Sequence, residues 1–402
     1  MLREAYRRQP DSPSLRVRFA TALLVQDAFD DVIALFDKPD TPAQPDTSEG
    51  AILIQAHLAR ETPEDNRRVV AIVDRLLPLL VDDVTRAQFL ADQAKAHRRL
   101  GDPDVARSML DHALELDPAN KDACKRLAAV DLHDDKIGDT IAVLDRIAAK
   151  GVSHARLHAA RALVHARAGQ IETARDVIGF DDFHHAGLLD TPPGMASMAA
   201  FNTALAAELL DHPDLRYERY GTASEQSWRI DAPLLGPAPM VRLLLDQVAR
   251  TAERHVATIA GSDHPWAQHR PDRGLLHCWC VMTDGTGYET WHVHQFGWLS
   301  GVYYVQIPPS IGAAATADAK GKDSGESGDT AGNGANDGAA GCIAFGLPED
   351  LVGDAAAGDY GTQIVRPEEG MLMLFPSHSY HRTYPHGAAE RRICVAFDIW
   401  PA

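Results

Sequence analysis

The sequence has no long hydrophobic run. Nothing in it approaches the roughly 20 consecutive apolar residues that a membrane helix needs, so no span and no membrane partner are expected. Positive charge is scarce as well. Lys and Arg total 39 against 57 Asp and Glu, for a formal net charge of −18. Proteins that grip nucleic acid meet phosphates with a basic surface, so no nucleic-acid partner is expected. Cysteine is sparse: Cys124, Cys278, Cys280, Cys342 and Cys394 follow no regular spacing. Such a set argues against a disulfide scaffold, and Cys278-Trp279-Cys280 without any CxxC argues against a zinc ribbon. The opening residues, Met1-Leu2-Arg3-Glu4-Ala5-Tyr6, lack the apolar core of a secretory signal, and a cytoplasmic location is the expectation.

What is present divides into two halves, and 402 residues leave room for two domains. In the first half, Gly101 and Gly169, Ala106 and Ala174, and Leu110 and Ile178 each recur at 68 residues, two periods of 34. That is the length of a tetratricopeptide repeat. Glycine ends one helix and permits the turn to the next. The small residues let paired helices approach closely, and Asp117-Pro118 stops the second helix. A slipped unit lies at Gly138–Ala142 and a degenerate one at 27–36. Residues 1–190 are therefore expected to form a helical solenoid, each pair burying its face on the next. No charged cluster in this half marks a ligand groove. The solenoid is read as a surface for a protein or peptide, with a spacer or scaffold as the plainer reading.

Thr191-Pro192-Pro193-Gly194 breaks the helical pattern and sets the expected boundary. Amphipathic helices follow at 198–210 and 240–259, and then the period changes to two. Strands are expected at 276–282, 300–307, 342–345, 370–375 and 392–400, which suggests a sandwich or barrel with helical support. Residues 310–341 are mostly Ala, Gly, Asp, Ser, Asn and Lys, and are read as a flexible insertion between strands.

The chemistry concentrates in two stretches. In the first, His292-Val293-His294 would place two imidazoles on one face of a strand, at a spacing suited to a shared metal. Alternating histidines can equally be exposed on an edge strand. In the second, an apolar strand from Gly370 opens through Phe375-Pro376-Ser377 onto His378 and His381, and Arg391-Arg392 begins another apolar strand about ten residues on.

Taken in order, His292-Val293-His294, the Gly297–Tyr304 strand, Phe345-Gly346-Leu347-Pro348, Gly370–His381 and Arg392–Phe397 resemble the 2OG-Fe(II) oxygenase family found behind tetratricopeptide repeats in bacteria, within the prolyl-hydroxylase-like superfamily. The likeness runs over residues 196–402. It implies an α + β two-domain chain whose second domain is a double-stranded β-helix, or jelly roll, with supporting helices. It implies an Fe(II)- and 2-oxoglutarate-dependent dioxygenase acting on a protein or peptide. His292, His294 and His381 become the metal ligands. Arg392 becomes the partner of the distal carboxylate of 2-oxoglutarate, with Tyr304 and Ser300 beside it. No further catalytic residue is implied.

The sequence departs from the pattern at one ligand. A carboxylate usually completes the facial triad, and here His294 stands in its place. Glu289 and Asp398 are the nearby carboxylates that could supply an oxygen ligand instead. The late ligand can be His381 or His378, and the anion holder Arg392 or Arg391. Trp291, Phe296 and Trp298 fit either a pocket or a core position. His277, His386 and the His184-His185 pair read as structural. Two rival functions remain. One is a three-histidine metal dioxygenase that needs no 2-oxoglutarate, and the other is a non-catalytic tetratricopeptide scaffold.

Overall fold

The computed structural model describes residues 2–36, 46–132, 136–311 and 339–402. The expected insertion at 310–341 lies mostly outside the described residues. The chain forms two compact units, Met1–Ala168 and Gly169–Ala402.

The first unit is all helical: α1 (Leu2–Arg8), α2 (Pro13–Val25), α3 (Phe29–Phe36), α4 (Thr47–Arg60), α5 (Pro63–Leu76), α6 (Asp83–Leu100), α7 (Pro103–Leu116), α8 (Lys121–Asp131), α9 (Ile137–Ala149) and α10 (Ala155–Arg167). Gly101 ends α6 at φ +91°, a left-handed conformation that costs glycine little. Ala106 and Leu110 on α7 are fully buried against their neighbours. The repeat period also returns in polar side chains. Gln88 donates to Asp122 at 3.0 Å and Arg126 to Asp92 at 2.9 Å, and Arg156 pairs with Asp122; each link spans 34 residues. These polar rungs join α6, α8 and α10, the first helices of successive pairs.

The second unit opens with α11 (Ile171–Ile178) and β1 (His185–Leu188), followed by α12 (Met198–Leu210), β2 (Arg216–Tyr217), β3 (Ser224–Ile230), α13 (Pro239–Ile259), α14 (Pro265–Gln268), β4 (Gly274–Glu289) and β5 (Leu299–Gln306). After the insertion come β6 (Ile343–Phe345), α15 (Glu349–Val352), α16 (Asp354–Tyr360), β7 (Gln363–Val365), β8 (Met371–Pro376), β9 (His381–Thr383) and β10 (Arg392–Pro401). A seven-stranded antiparallel sheet runs β1-β8-β5-β10-β4-β3-β2, and a three-stranded sheet runs β7-β6-β9. This is the two-sheet arrangement of a double-stranded β-helix.

The structure divides the chain earlier than the Pro-Pro-Gly break suggested. Residues 169–190, read as the end of the solenoid, belong to the second unit. The reason is long-range pairing: β1 joins the large sheet on β8, and Arg175 of α11 lies over the ring of Tyr360 in α16.

Strand alternation explains how the large sheet serves two purposes. One set of alternating residues, Cys278, Cys280, Met282, Tyr303, Val305, Ile393, Val395 and Phe397, packs in a single core with Phe201, Leu205, Val241, Leu244 and Val248 of α12 and α13. The opposite set, Trp279, Val281, Val302, Tyr304, Arg392, Cys394 and Ala396, lines a pocket. The adjacent tyrosines are split accordingly: Tyr303 donates to Asn202 on α12 at 2.6 Å, and Tyr304 turns into the pocket.

Candidate metal centre

His292 and His294 lie in the connection between β4 and β5, and His381 opens β9. The expected strand is reduced to one isolated antiparallel bridge between His292 and His381. The His292 amide donates to the His381 carbonyl at 3.0 Å, the reciprocal bond is 3.1 Å, and the His294 amide donates to the Ser377 carbonyl at 2.9 Å. Main chain thus fixes all three residues. One ring nitrogen from each gives three potential ligand atoms within 4.8 Å of one another, the one such group of three or more found among the described residues.

Each ring is held from behind through Nδ1. His292 meets the Thr290 carbonyl at 2.7 Å and His381 the Ser379 carbonyl at 3.0 Å. A carbonyl only accepts, so both Nδ1 atoms carry the proton and both Nε2 atoms present a lone pair. His294 Nδ1 meets Asp398 Oδ1 at 2.6 Å, and its Nε2 stands 3.3 Å from His292 Nε2. Lone pairs that face each other so closely repel unless a cation lies among them. Outer partners of this kind are characteristic of metal-ligating histidine. Burial pushes the His292 imidazole below its ordinary value, though Glu289 opposes this. Burial, with His292 and His294 beside it, pushes His381 well below. Both shifts favour the neutral ring, the form that binds metal. The donor set fits a divalent transition ion such as iron.

The pocket also holds a buried cation. Arg392 is 2 % exposed, with Nη1 donating to the Gly341 carbonyl at 3.1 Å and Nη2 to Thr383 Oγ1 at 3.3 Å. Its Nε is buried without a hydrogen bond, and Arg392 has no carboxylate partner among the described residues. Tyr304 and Thr383 line the same pocket. Burial raises the Tyr304 phenol, so it stays protonated and able to donate.

The remaining candidates fall elsewhere. Ser300, expected beside Tyr304 at the cosubstrate, is instead engaged beneath His294. Its hydroxyl lies 2.7 Å from Asp398 Oδ1, 2.7 Å from Ser377 Oγ and 2.9 Å from His294 Nδ1. Arg391 faces away and pairs with Asp284 at 2.9 Å. His378 donates through Nε2 to the Ile178 carbonyl at 3.0 Å, outside the cluster. Asp398 backs His294 and does not join the inward-facing nitrogens. Its carboxyl is held below the ordinary value although burial, the largest influence, pushes the other way; His294 and the hydrogen bond from Ser300 prevail. Glu289 does reach the pocket, with Oε2 3.4 Å from His292 Nε2 and Oε1 accepting from Ser224 at 2.5 Å. Trp298 stacks on Trp266 at 4.5 Å in the core, and Phe296 is exposed. Trp291 donates to Glu349 at 2.7 Å. His277 stacks on Trp400, His386 bonds the Thr283 carbonyl, and His184 packs on Phe345.

Sequence reasoning missed Thr383, Trp279 and Cys394 in the pocket. Period-two alternation from Arg392 would have placed Cys394 there. Nothing local marks Thr383.

Residues 277–398 match the family described as "Putative 2OG-Fe(II) oxygenase", and residues 97–164 match a tetratricopeptide repeat family. No curated protein matches the chain in sequence. Among solved structures, a Pseudomonas putida prolyl-4-hydroxylase is similar at 15% identity over 59% of this chain and 99% of its own, with a TM-score of 0.32. A Burkholderia pseudomallei oxidoreductase of the 2OG-Fe(II) oxygenase family is similar at 11% identity over 59% and 91%, with a TM-score of 0.33. YrrB, a tetratricopeptide protein with an unusual peptide-binding site, is similar at 13% identity over 44% and 91%, also at 0.33. Residues of the second unit thus match the 2OG-Fe(II) oxygenase family model, behind a tetratricopeptide repeat match in the first.

Proposed function

We propose that the chain is an Fe(II)- and 2-oxoglutarate-dependent dioxygenase that hydroxylates a protein or peptide, with His292, His294 and His381 as iron ligands and Arg392 and Tyr304 as holders of the cosubstrate. The observation that carries the 2-oxoglutarate part is Arg392. A buried guanidinium without an anion is costly, and a carboxylate bound bidentately would offset that cost. It lines one pocket with the three imidazoles, so a dicarboxylate anchored there would present its other end to the metal. Tyr304 adds a neutral donor, and Thr383 holds the guanidinium in plane. When bound, iron and the keto acid supply the oxidising chemistry. The protein orients both and keeps them in a mostly apolar pocket whose walls include Trp279, Val281, Val302, Ile343 and Phe375. The tetratricopeptide repeat supports a peptide or protein substrate by its ordinary use as a docking surface.

A second reading, a three-histidine dioxygenase independent of 2-oxoglutarate, gains from Glu289, whose carboxylate occupies the same pocket. One experiment separates them. Anaerobic addition of Fe(II) and 2-oxoglutarate is expected to give a weak visible charge-transfer band that needs both additions and is lost or much weakened in Arg392→Ala. Absence of the band in wild-type protein, with iron shown to be bound, would reject the 2-oxoglutarate reading and favour the second.

A further inference from the structure

The three imidazoles are not backed alike. His292 and His381 lean on neutral backbone carbonyls, whereas His294 alone leans on a carboxylate. That carboxylate is firmly held. Asp398 is 5 % exposed; its Oδ1 lies 2.6 Å from His294 Nδ1 and 2.7 Å from Ser300 Oγ, and its Oδ2 accepts from Trp400 Nε1 at 3.4 Å. Ser300 stands directly opposite Asp398 across the β10–β5 pairing, and Ser377, in the turn after β8, braces Ser300. Two adjacent strands and the turn after a third therefore support one anion, whose shortest contact is a ligand ring. His294 is also the residue that stands where the family's usual donor set has a carboxylate.

We infer that Asp398 is a positioning residue that supplies this missing negative charge from one imidazole further out. By accepting the Nδ1 proton in a short charge-assisted hydrogen bond, it fixes the tautomer and rotamer of His294 and makes Nε2 a stronger donor to the metal. The ligand atom has changed from oxygen to nitrogen, while the charge near the centre is conserved. Ser300, expected on the cosubstrate, then acts one layer behind by holding Asp398. The inference rests on the metal reading above.

The test compares wild type with Asp398→Asn, which keeps shape and hydrogen-bonding capacity but removes the charge, and with Asp398→Glu. Fe(II) affinity is measured anaerobically by competition with a chromogenic chelator, the Fe(III)/Fe(II) midpoint potential by titration, and folding by circular dichroism. Asp398→Asn is expected to bind Fe(II) about 10- to 100-fold more weakly and to shift the potential upward, because the loss of negative charge destabilises Fe(III) relative to Fe(II). Asp398→Glu should recover part of both. If Asp398→Asn does not fold, Ser300→Ala, which keeps the carboxylate but loosens it, should move both quantities in the same direction by a smaller amount. Unchanged affinity and potential in folded Asp398→Asn, with tight iron binding by wild type, would overturn the inference alone. Failure of wild type to bind iron would overturn the metal reading and the inference together.

Discussion

At the scale of single residues, similar imidazoles serve different ends according to what stands behind them. His378 lies three positions before a candidate ligand, but its ring is spent on the Ile178 carbonyl. Burial, with His264 nearby, pushes it down to about 3 from an ordinary 6.5. The sign follows directly. Below pH 6.5 the unfolded chain binds a proton that the folded chain refuses until about pH 3, so stability falls as pH drops through that window. The contribution approaches about 1.4 kcal/mol per pH unit. His378→Gln keeps a donor for the carbonyl without the titration. Denaturant melts between pH 6.5 and 5 are expected to show a shallower decline in this variant than in wild type, and equal slopes would remove His378 as a cause. The sequence leaves His378 and His381 as competitors because both follow the same turn. The reciprocal main-chain bonds between His292 and His381, and the Ile178 carbonyl on the His378 ring, separate them. Asp398 is named from the sequence as a possible oxygen ligand, but its place behind His294 is hidden for a related reason. It lies 104 residues beyond His294 and reaches it only through sheet pairing.

Among elements, β5 and β10 carry both the core and the pocket, and their alternation is legible. Apolar residues recur at every second position, and the strands expected at 300–307 and 392–400 appear as Leu299–Gln306 and Arg392–Pro401. The helix at 240–259 is equally readable from its apolar stripe, while the one at 198–210 forms where expected but is apolar on most of its surface rather than striped. Of the three-residue strands, only β6, expected at 342–345 and found at Ile343–Phe345, is legible. β7 and β9 have three residues each, too few to show a period, and β9 holds His381 and Thr383. Close packing within the readable strands yields its own prediction. A Cβ on Gly301 would lie 2.4 Å from the Met373 carbonyl oxygen and 2.4 Å from Phe397 Cζ. Gly301→Ala should therefore destabilise the second unit by about 1–3 kcal/mol, seen as a lower denaturation midpoint with an unchanged m-value. A midpoint equal to wild type would mean that β5 and β8 separate without cost.

For the whole molecule, a proline-glycine break and a repeat period locate a boundary near the right place and no closer. Thr191-Pro192-Pro193-Gly194 is a true irregularity, with Gly194 at φ +85°. It lies within the second unit, because β1 pairs with a strand some 185 residues later. Pairing over that distance leaves no local trace. A fragment covering 169–402 is expected to fold and bind iron. One covering 196–402 loses β1 from the edge of β8, the Ile178 carbonyl from His378 and Phe183 from the core, and should unfold at markedly lower denaturant. Equal midpoints for the two fragments would restore the boundary at the prolines.

The bridge between His292 and His381 carries one further consequence. Because two peptide groups fix that spacing, the distance between these rings owes little to the identity of the side chains around them. Trp279 packs on His294 and Phe375 on His381, whereas Val302 and Ile343 line the cavity without a ring on any of the three imidazoles. A lineage, or an engineer, is free to alter what enters this cavity while inheriting the same grip on the ion.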